Sequence, residues 1–197
     1  MAIVVVGGQA RKVGKTSVIT GLITTLSGYE WTAIKITPHE HKPPVEQPFS
    51  VSEELYTSTA TDTGRYLAAG AAKALLLSVG QARLIDAVPY VQRAIASAKN
   101  VLIESNSIVE YLKPDVYIVV LDPAITVAKE SLVRQLPQAN AVVIAPKGNV
   151  RELSAEIERA VTGKMRFEVR PPNYVTKELA EFVRRHLSAT KAPETAV

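Results

Sequence analysis

Gly7-Gly8-Gln9-Ala10-Arg11-Lys12-Val13-Gly14-Lys15-Thr16-Ser17 is the stretch of this 197-residue chain whose residue types and spacing speak most directly of chemistry. An apolar strand enters it, and a helical pattern leaves it. A Gly-containing loop that closes on Gly-Lys-Thr between a strand and a helix is built to cradle phosphates. Successive backbone N–H groups line its concave side. The helix N-terminus adds N–H donors without intrahelical partners and a partial positive charge. Gly8, Ala10, Arg11, Lys12, Val13, Gly14, Lys15, Thr16 and Ser17 are thus the candidate nucleotide contacts. Lys15 is expected to reach the outer phosphates, and the Thr16 hydroxyl to ligate Mg2+. Gln9 stands where the first Gly of the usual pattern belongs, and Gly8 comes one residue early. Either the loop carries an extra residue or its backbone takes another path. The bland alternative is a chance Gly-Lys-Thr at a strand–helix turn.

Two acids could share that magnesium. Glu104 closes the apolar run Asn100-Val101-Leu102-Ile103, and a carboxylate delivered by a buried strand needs a partner. Asp62 opens a helix, where it either complements the helix dipole or ligates metal and orients an attacking water or hydroxyl. Lys15, Asp62 and Glu104 are the catalytic candidates; Thr16, Asp62 and Glu104 are the metal candidates. Arg65, one turn after Asp62, could meet phosphate or an acidic substrate, or simply pair with Asp62. His39, His41 and Lys42 lie in a proline-bordered loop suited to a substrate or partner; two His with Glu40 are a weak metal set. Base recognition falls to Lys147, after the run 141–145, and to Asn173, after Pro171-Pro172. Both also fit ordinary turns. ATP and GTP stay equally open as the purine nucleotide.

The elements that must position these groups alternate along the chain. Strands are predicted at 2–6, 31–36, 73–78, 100–104, 115–121, 141–145 and 165–169. Helices are predicted at about 15–26, 61–70, 84–98, 125–135, from an Asn149 cap with Glu152 in a capping box to Gly163, and at 176–187. Residues 37 to about 60, rich in Pro and then in Ser and Thr, read as a long functional or mobile loop. Ile85, Val88, Val91, Ile95 and Ala98 form the expected inner face of the third helix. Strands alternating with helices predict an α/β fold: a doubly wound, mostly parallel sheet with helices on both faces, binding ligands at the strands' carboxyl ends. The chain divides into one domain over 1–188, with a Pro-rich loop at 38–60, and a polar tail at 189–197.

Composition narrows the function classes. There is no Cys, which excludes disulfides and thiolate chemistry. The formal net charge is +4, its excess lying in residues 147–197 among interleaved Glu, unlike a clustered nucleic-acid surface with aromatic platforms. No apolar run is long enough to span a bilayer. Met1 leads straight into a strand, so no membrane contact and a cytoplasmic location are expected.

With these stretches in view, residues 2–121 resemble the P-loop NTPases of the molybdopterin-guanine dinucleotide biosynthesis adaptor (B protein) family. The resemblance rests on Gly14-Lys15-Thr16, on Ala33-Ile34-Lys35 before a His-containing loop, on Asp62-Thr63 with Arg65 and Ala69-Gly70-Ala71, and on Val101-Leu102-Ile103-Glu104. It implies a P-loop NTPase fold, Mg2+ and GTP as ligands, and assistance in molybdenum-cofactor maturation. It gives Lys15 and Thr16 phosphate and metal contacts and makes Asp62 and Glu104 metal-site acids. Gln9, the segment Ser105-Asn106-Ser107 and the long 38–60 loop depart from the family. More distantly the chain is similar to dethiobiotin-synthetase-like ligases and lipid A 4′-kinase-like enzymes. Three functions follow as expectations: a slow, nucleotide-gated accessory NTPase acting on a cofactor-maturation protein; a small-molecule kinase or ATP-dependent ligase; and a non-hydrolysing nucleotide binder. Arg11 and Lys12 are candidates to act across a homodimer.

Overall fold

Unbroken runs of Val, Ile and Leu make strands covered on both faces, and this chain builds its sheet from several such runs. The strands are β1 (Ile3–Gly8), β2 (Trp31–Pro38), β3 (Phe49–Glu54), β4 (Lys73–Val79), β5 (Asn100–Glu104), β6 (Val116–Leu121), β7 (Ala141–Ile144) and β8 (Met165–Glu168). The helices are α1 (Lys15–Thr25), α2 (Asp62–Ala68), α3 (Leu84–Ala96), α4 (Glu130–Gln135), α5 (Ala155–Ala160) and α6 (Lys177–Ala189). The computed structural model describes residues 1–38, 48–80, 83–126, 130–149 and 152–189.

The strand order is β3-β4-β2-β5-β1-β6-β7-β8. All neighbours are parallel except β3, which runs antiparallel to β4 at one edge. From β1 the chain crosses to β2, leaving the place that β5 later fills; it then continues on the other side of β1 with β6, β7 and β8. The reversal lies at β1 and β5, and doubly wound folds open their ligand crevice at the carboxyl ends there. Alternate residues feed two apolar layers. Val4, Val6, Leu102, Ile118 and Val120 pack with Val18, Ile19 and Leu22 of α1, Tyr66 of α2 and Leu179 and Val183 of α6. Val5, Ile103, Val119 and Leu121 face the other way, onto Val88 and Val91 of α3, Leu132 of α4 and Ile157 of α5. This is the predicted α/β fold, a mostly parallel sheet with helices on both faces. Among the described residues, no helix is long and apolar enough to cross a membrane.

Several expectations change. Residues 37–60 are not a continuous loop: β2 extends to Pro38, and β3 occupies 49–54. As an edge strand β3 covers only one side, so Phe49 and Val51 are half-buried while Ser50 and Ser52 face out; Phe49 meets the Tyr90 ring of α3 at 6.2 Å. Asn149 does not cap the helix after β7. That helix starts at Ala155 behind Ser154, and it is Ile157 and Val161 that anchor it to the sheet. Ile85 is 55% exposed in the first turn of α3, where Ala87, Val88, Val91 and Ile95 carry the burial. Ile125 and Thr126, at the start of the helix predicted over 125–135, are not helical, and α4 is described over Glu130–Gln135; α6 runs to Ala189, the first residue of the predicted tail.

Candidate functional site

β1 ends in Gly7-Gly8 because nothing larger fits. A Cβ on Gly8 would lie 2.8 Å from Val13 Cγ2 and 2.9 Å from Lys15 Cγ. The next residues turn over the strand end and enter α1 at Gly14, whose φ of 109° only Gly adopts without strain. Lys12 also has positive φ, 61°, a conformation that costs an L-residue about 1–2 kcal/mol. No side chain caps the N-terminus of α1, and no acid stands in its first turn. Its positive end therefore faces the loop with no acid of its own helix to offset it. Lys15 folds back over the loop, donating to the Ala10 carbonyl at 2.8 Å. Arg11 and Lys12 are exposed, whereas Val13 is buried in the core.

Gln9 is where the loop departs from pattern, and its side chain is 2% exposed. Its amide is used at both ends: Nε2 donates to the Ile125 carbonyl at 2.7 Å, and Oε1 accepts from the Asp122 N–H at 3.1 Å. The Gln9 N–H donates to Val120 O at 3.0 Å. The loop is thereby fastened to the segment after β6. On the other side Asn106 holds Gly8 twice, accepting from its N–H at 2.8 Å and donating to its carbonyl at 2.9 Å. The loop is thus tied by two amide side chains, those of Gln9 and Asn106.

Thr16, Glu104, Asp62 and Arg65 come together at this strand end. Thr16 Oγ1 donates to Glu104 Oε2 at 2.7 Å. Glu104 is only 4% exposed, so the carboxylate is delivered buried rather than turned out into the following loop. The buried Tyr66 hydroxyl donates to the same Oε2 at 2.5 Å. Thr61 accepts from the Gly64 N–H at 3.0 Å and caps α2, which sets Asp62 in the first turn. Arg65 lies 3.6 Å from Asp62 and donates to Ser17 Oγ at 3.3 Å. Arg65 thus pairs with Asp62, the plainer of its two readings, and also reaches Ser17 beside the loop.

Lys35 was not among the sequence candidates, and it is the hub. It pairs in register with Glu104 across β2 and β5, and both point toward α1 and α2. Its ammonium contacts Asp62 and lies 3.0 Å from Glu104 Oε1. Burial pulls the Lys35 pKa down, but Glu104 and Asp62 outweigh it and hold it above the ordinary lysine value. For Asp62, burial raises the pKa, but the bond and charge of Lys35, with Thr16 and Arg65, keep it below the ordinary carboxylate value. Burial and the neighbouring Glu104 push the Tyr66 phenol well up, so it stays a donor. The sequence signal that could have marked it is a lysine set inside the apolar strand 31–36; its partner is fixed only once β5 lies beside β2.

The remaining candidates scatter. Lys147 is exposed after β7, and Asn173 is exposed after β8 with its N–H on the Arg170 carbonyl at 2.8 Å. It is the next residue, Tyr174, that reaches the loop: its ring fills the space beside Gly14, 2.3 Å from where a Cβ would stand. His39, His41 and Lys42 lie outside the described residues. Among the described residues, no group of three or more His, Cys, Asp or Glu could hold a metal ion.

No protein-family model matches the chain, and no curated protein matches it. Solved structures do. HypB from Helicobacter pylori, in complex with nickel, is similar at TM-score 0.60 and 14% identity over 98% of this chain and 91% of its own. The hydrogenase maturation factor HypB from Archaeoglobus fulgidus is similar at TM-score 0.58 and 17% identity, covering 94% of this chain and 90% of that one. LpxK from Aquifex aeolicus, in complex with ATP, follows at TM-score 0.53 and 17% identity, with 85% of this chain and 53% of that one covered. At such identities the likeness shows the fold alone, which is of the P-loop NTPase type.

Proposed function

We propose that the chain binds a purine nucleoside triphosphate with Mg2+ and hydrolyses it slowly to gate a partner. The observation that carries this reading is the bare N-terminus of α1 in Gly14-Lys15-Thr16, with the Thr16 hydroxyl already held by Glu104. Phosphate oxygens would accept from the loop N–H groups and from Lys15, which would exchange the Ala10 carbonyl for them. Thr16, Asp62 and Glu104 offer the hard oxygen donors that Mg2+ takes, and Mg2+ uses few protein ligands beside phosphate and water. The donor set therefore fits magnesium, with Thr16 as the direct ligand and the acids acting around it. Magnesium supplies charge neutralisation on the phosphates; Lys15 and the loop amides orient them, and Asp62 is the group for orienting water.

The pathway we assign is molybdenum-cofactor maturation, on the strength of the motif resemblance, with a maturation protein as partner. The similarity to HypB, described as a hydrogenase maturation factor, is in keeping with a metallocofactor role. Phosphoryl transfer to a small molecule is the second reading, favoured by the likeness to LpxK, whose structure holds ATP. Calorimetric titration with ATP and GTP, with and without Mg2+, tests the central claim. Saturable binding of one purine triphosphate, strengthened by Mg2+ and lost in Lys15→Ala, is expected. No binding at millimolar nucleotide, or a Lys15→Ala variant as tight as wild type, refutes it. Phosphate appearing on a metabolite rather than in solution would favour the kinase.

A further inference from the structure

Lys35 stands between the two carboxylates that the reading above gives to magnesium. Its side chain is 19% exposed and that of Glu104 6%. Lys35 Nζ contacts Asp62 and Glu104 together, while Thr16 and Tyr66 occupy Glu104 Oε2. Two carboxylates face two cations, Lys35 and Arg65, so the cluster is balanced as it stands. A divalent cation entering alone would add two positive charges beside a largely buried ammonium, where they are poorly screened. Entering with a triphosphate, it brings more negative charge than positive. The lysine head sits on a four-carbon stem that can swing without moving β2.

We propose that Lys35 is a resident counter-cation: it holds Asp62 and Glu104 together in the metal-free protein and yields their shared position only to a magnesium ion that arrives with nucleotide. Lys35 is thus a positioning residue that makes metal entry conditional on nucleotide. The proposal rests on the nucleotide reading for its purpose, but its geometry is independent of that reading.

The test is Mn2+ binding to nucleotide-free protein, followed by electron paramagnetic resonance and calorimetry. Wild type should bind Mn2+ weakly. Lys35→Met leaves the carboxylates without their ammonium and should bind Mn2+ about ten- to a hundredfold tighter. Lys35→Arg keeps the charge and should behave as wild type. Adding Asp62→Asn to Lys35→Met removes one carboxylate and should return the affinity toward wild type. If Lys35→Met fails to fold alone, Lys35→Gln keeps a polar head and carries the same comparison. Equal Mn2+ affinity in wild type and the neutral variant overturns the proposal, as does tight binding that survives Asp62→Asn. A wild type that binds no nucleotide would sink the proposed function and the nucleotide condition with it, yet leave the counter-cation role of Lys35 to be decided by the Mn2+ contrast, so the two failures are distinguishable.

Discussion

Replacing Gln9 with Ala tests whether the unusual residue of the loop between β1 and α1 is a structural fastening. The substitution removes the acceptor for the Asp122 N–H and the donor to the Ile125 carbonyl. Asp122 is 4% exposed, so its N–H loses its side-chain acceptor where water is scarce, a cost of roughly 1–3 kcal/mol. The Ile125 carbonyl is only half-buried, and its loss adds about 1 kcal/mol. A total near 3 kcal/mol lowers the melting temperature by about 6–12 °C for a domain of this size. Scanning calorimetry and urea denaturation read the loss directly. Gln9→Met is the control, since it restores volume without the amide. The reasoning fails if Gln9→Ala melts within about 2 °C of wild type, or if Gln9→Met recovers the full stability, because packing alone would then explain the residue.

Other substitutions probe the neighbouring contacts. Gly14→Ala should destabilise by about 2 kcal/mol or more from backbone handedness and contact with Tyr174; adding Tyr174→Gly in a denaturation cycle should recover only the contact part, and full recovery would deny the backbone strain. Tyr66→Phe removes a hydroxyl bonded to the Glu104 carboxylate and should cost about 1.5–3 kcal/mol in urea unfolding; a neutral result would mean that Thr16 and Lys35 satisfy Glu104 unaided. In a pH series, the stability from Asp62 is present above its unfolded pKa and is lost as pH falls through its depressed folded value. That from Lys35 is present below its unfolded pKa and is lost as pH rises through its raised folded value. The pair should therefore leave the melting temperature level between about pH 5 and 9 and steepen both ends; a Lys35→Met variant retaining both limbs unchanged would contradict this.

The strands were legible where burial on both faces wrote them as unbroken apolar runs, as in Val4–Val6, Val101–Ile103 and Val116–Leu121. The strand–loop–helix junction at Gly14-Lys15-Thr16 was legible because its residues answer to local backbone rules. β3 was not. An edge strand packs on one side only, and its alternating Ser and Glu residues resemble a loop. Asn149 and Glu152 have the spacing of a cap, but the helix begins where Ile157 and Val161 can reach the sheet. Glu104 and Asp62 could be chosen as acids at element ends, whereas Lys35 depends on which strands become neighbours. β2 and β5 are far apart in sequence, and nothing local to Ala33-Ile34-Lys35 says that β5 will lie beside it. Gln9 read as a missing glycine because its two partners, Asp122 and Ile125, lie beyond β6.

The Lys35–Glu104 pair also bears on how the sheet is assembled. These residues are 69 positions apart, and they meet only when β5 inserts between β1 and β2 with Lys35 abreast of Glu104. Sliding β5 by one residue turns the carboxylate to the opposite face of the sheet, into the apolar layer under α3. Sliding it by two keeps the face but leaves the acid beside Ala33 or Thr37 instead of an ammonium. Either misalignment strands a charge in a poorly hydrated place. The apolar residues around it (Val101, Leu102 and Ile103 against Thr32, Ala33 and Ile34) are far more forgiving of such a shift. One ion pair at the strand ends therefore acts as an alignment pin for the late-arriving central strand, rejecting the near-miss pairings that greasy side chains alone would accept.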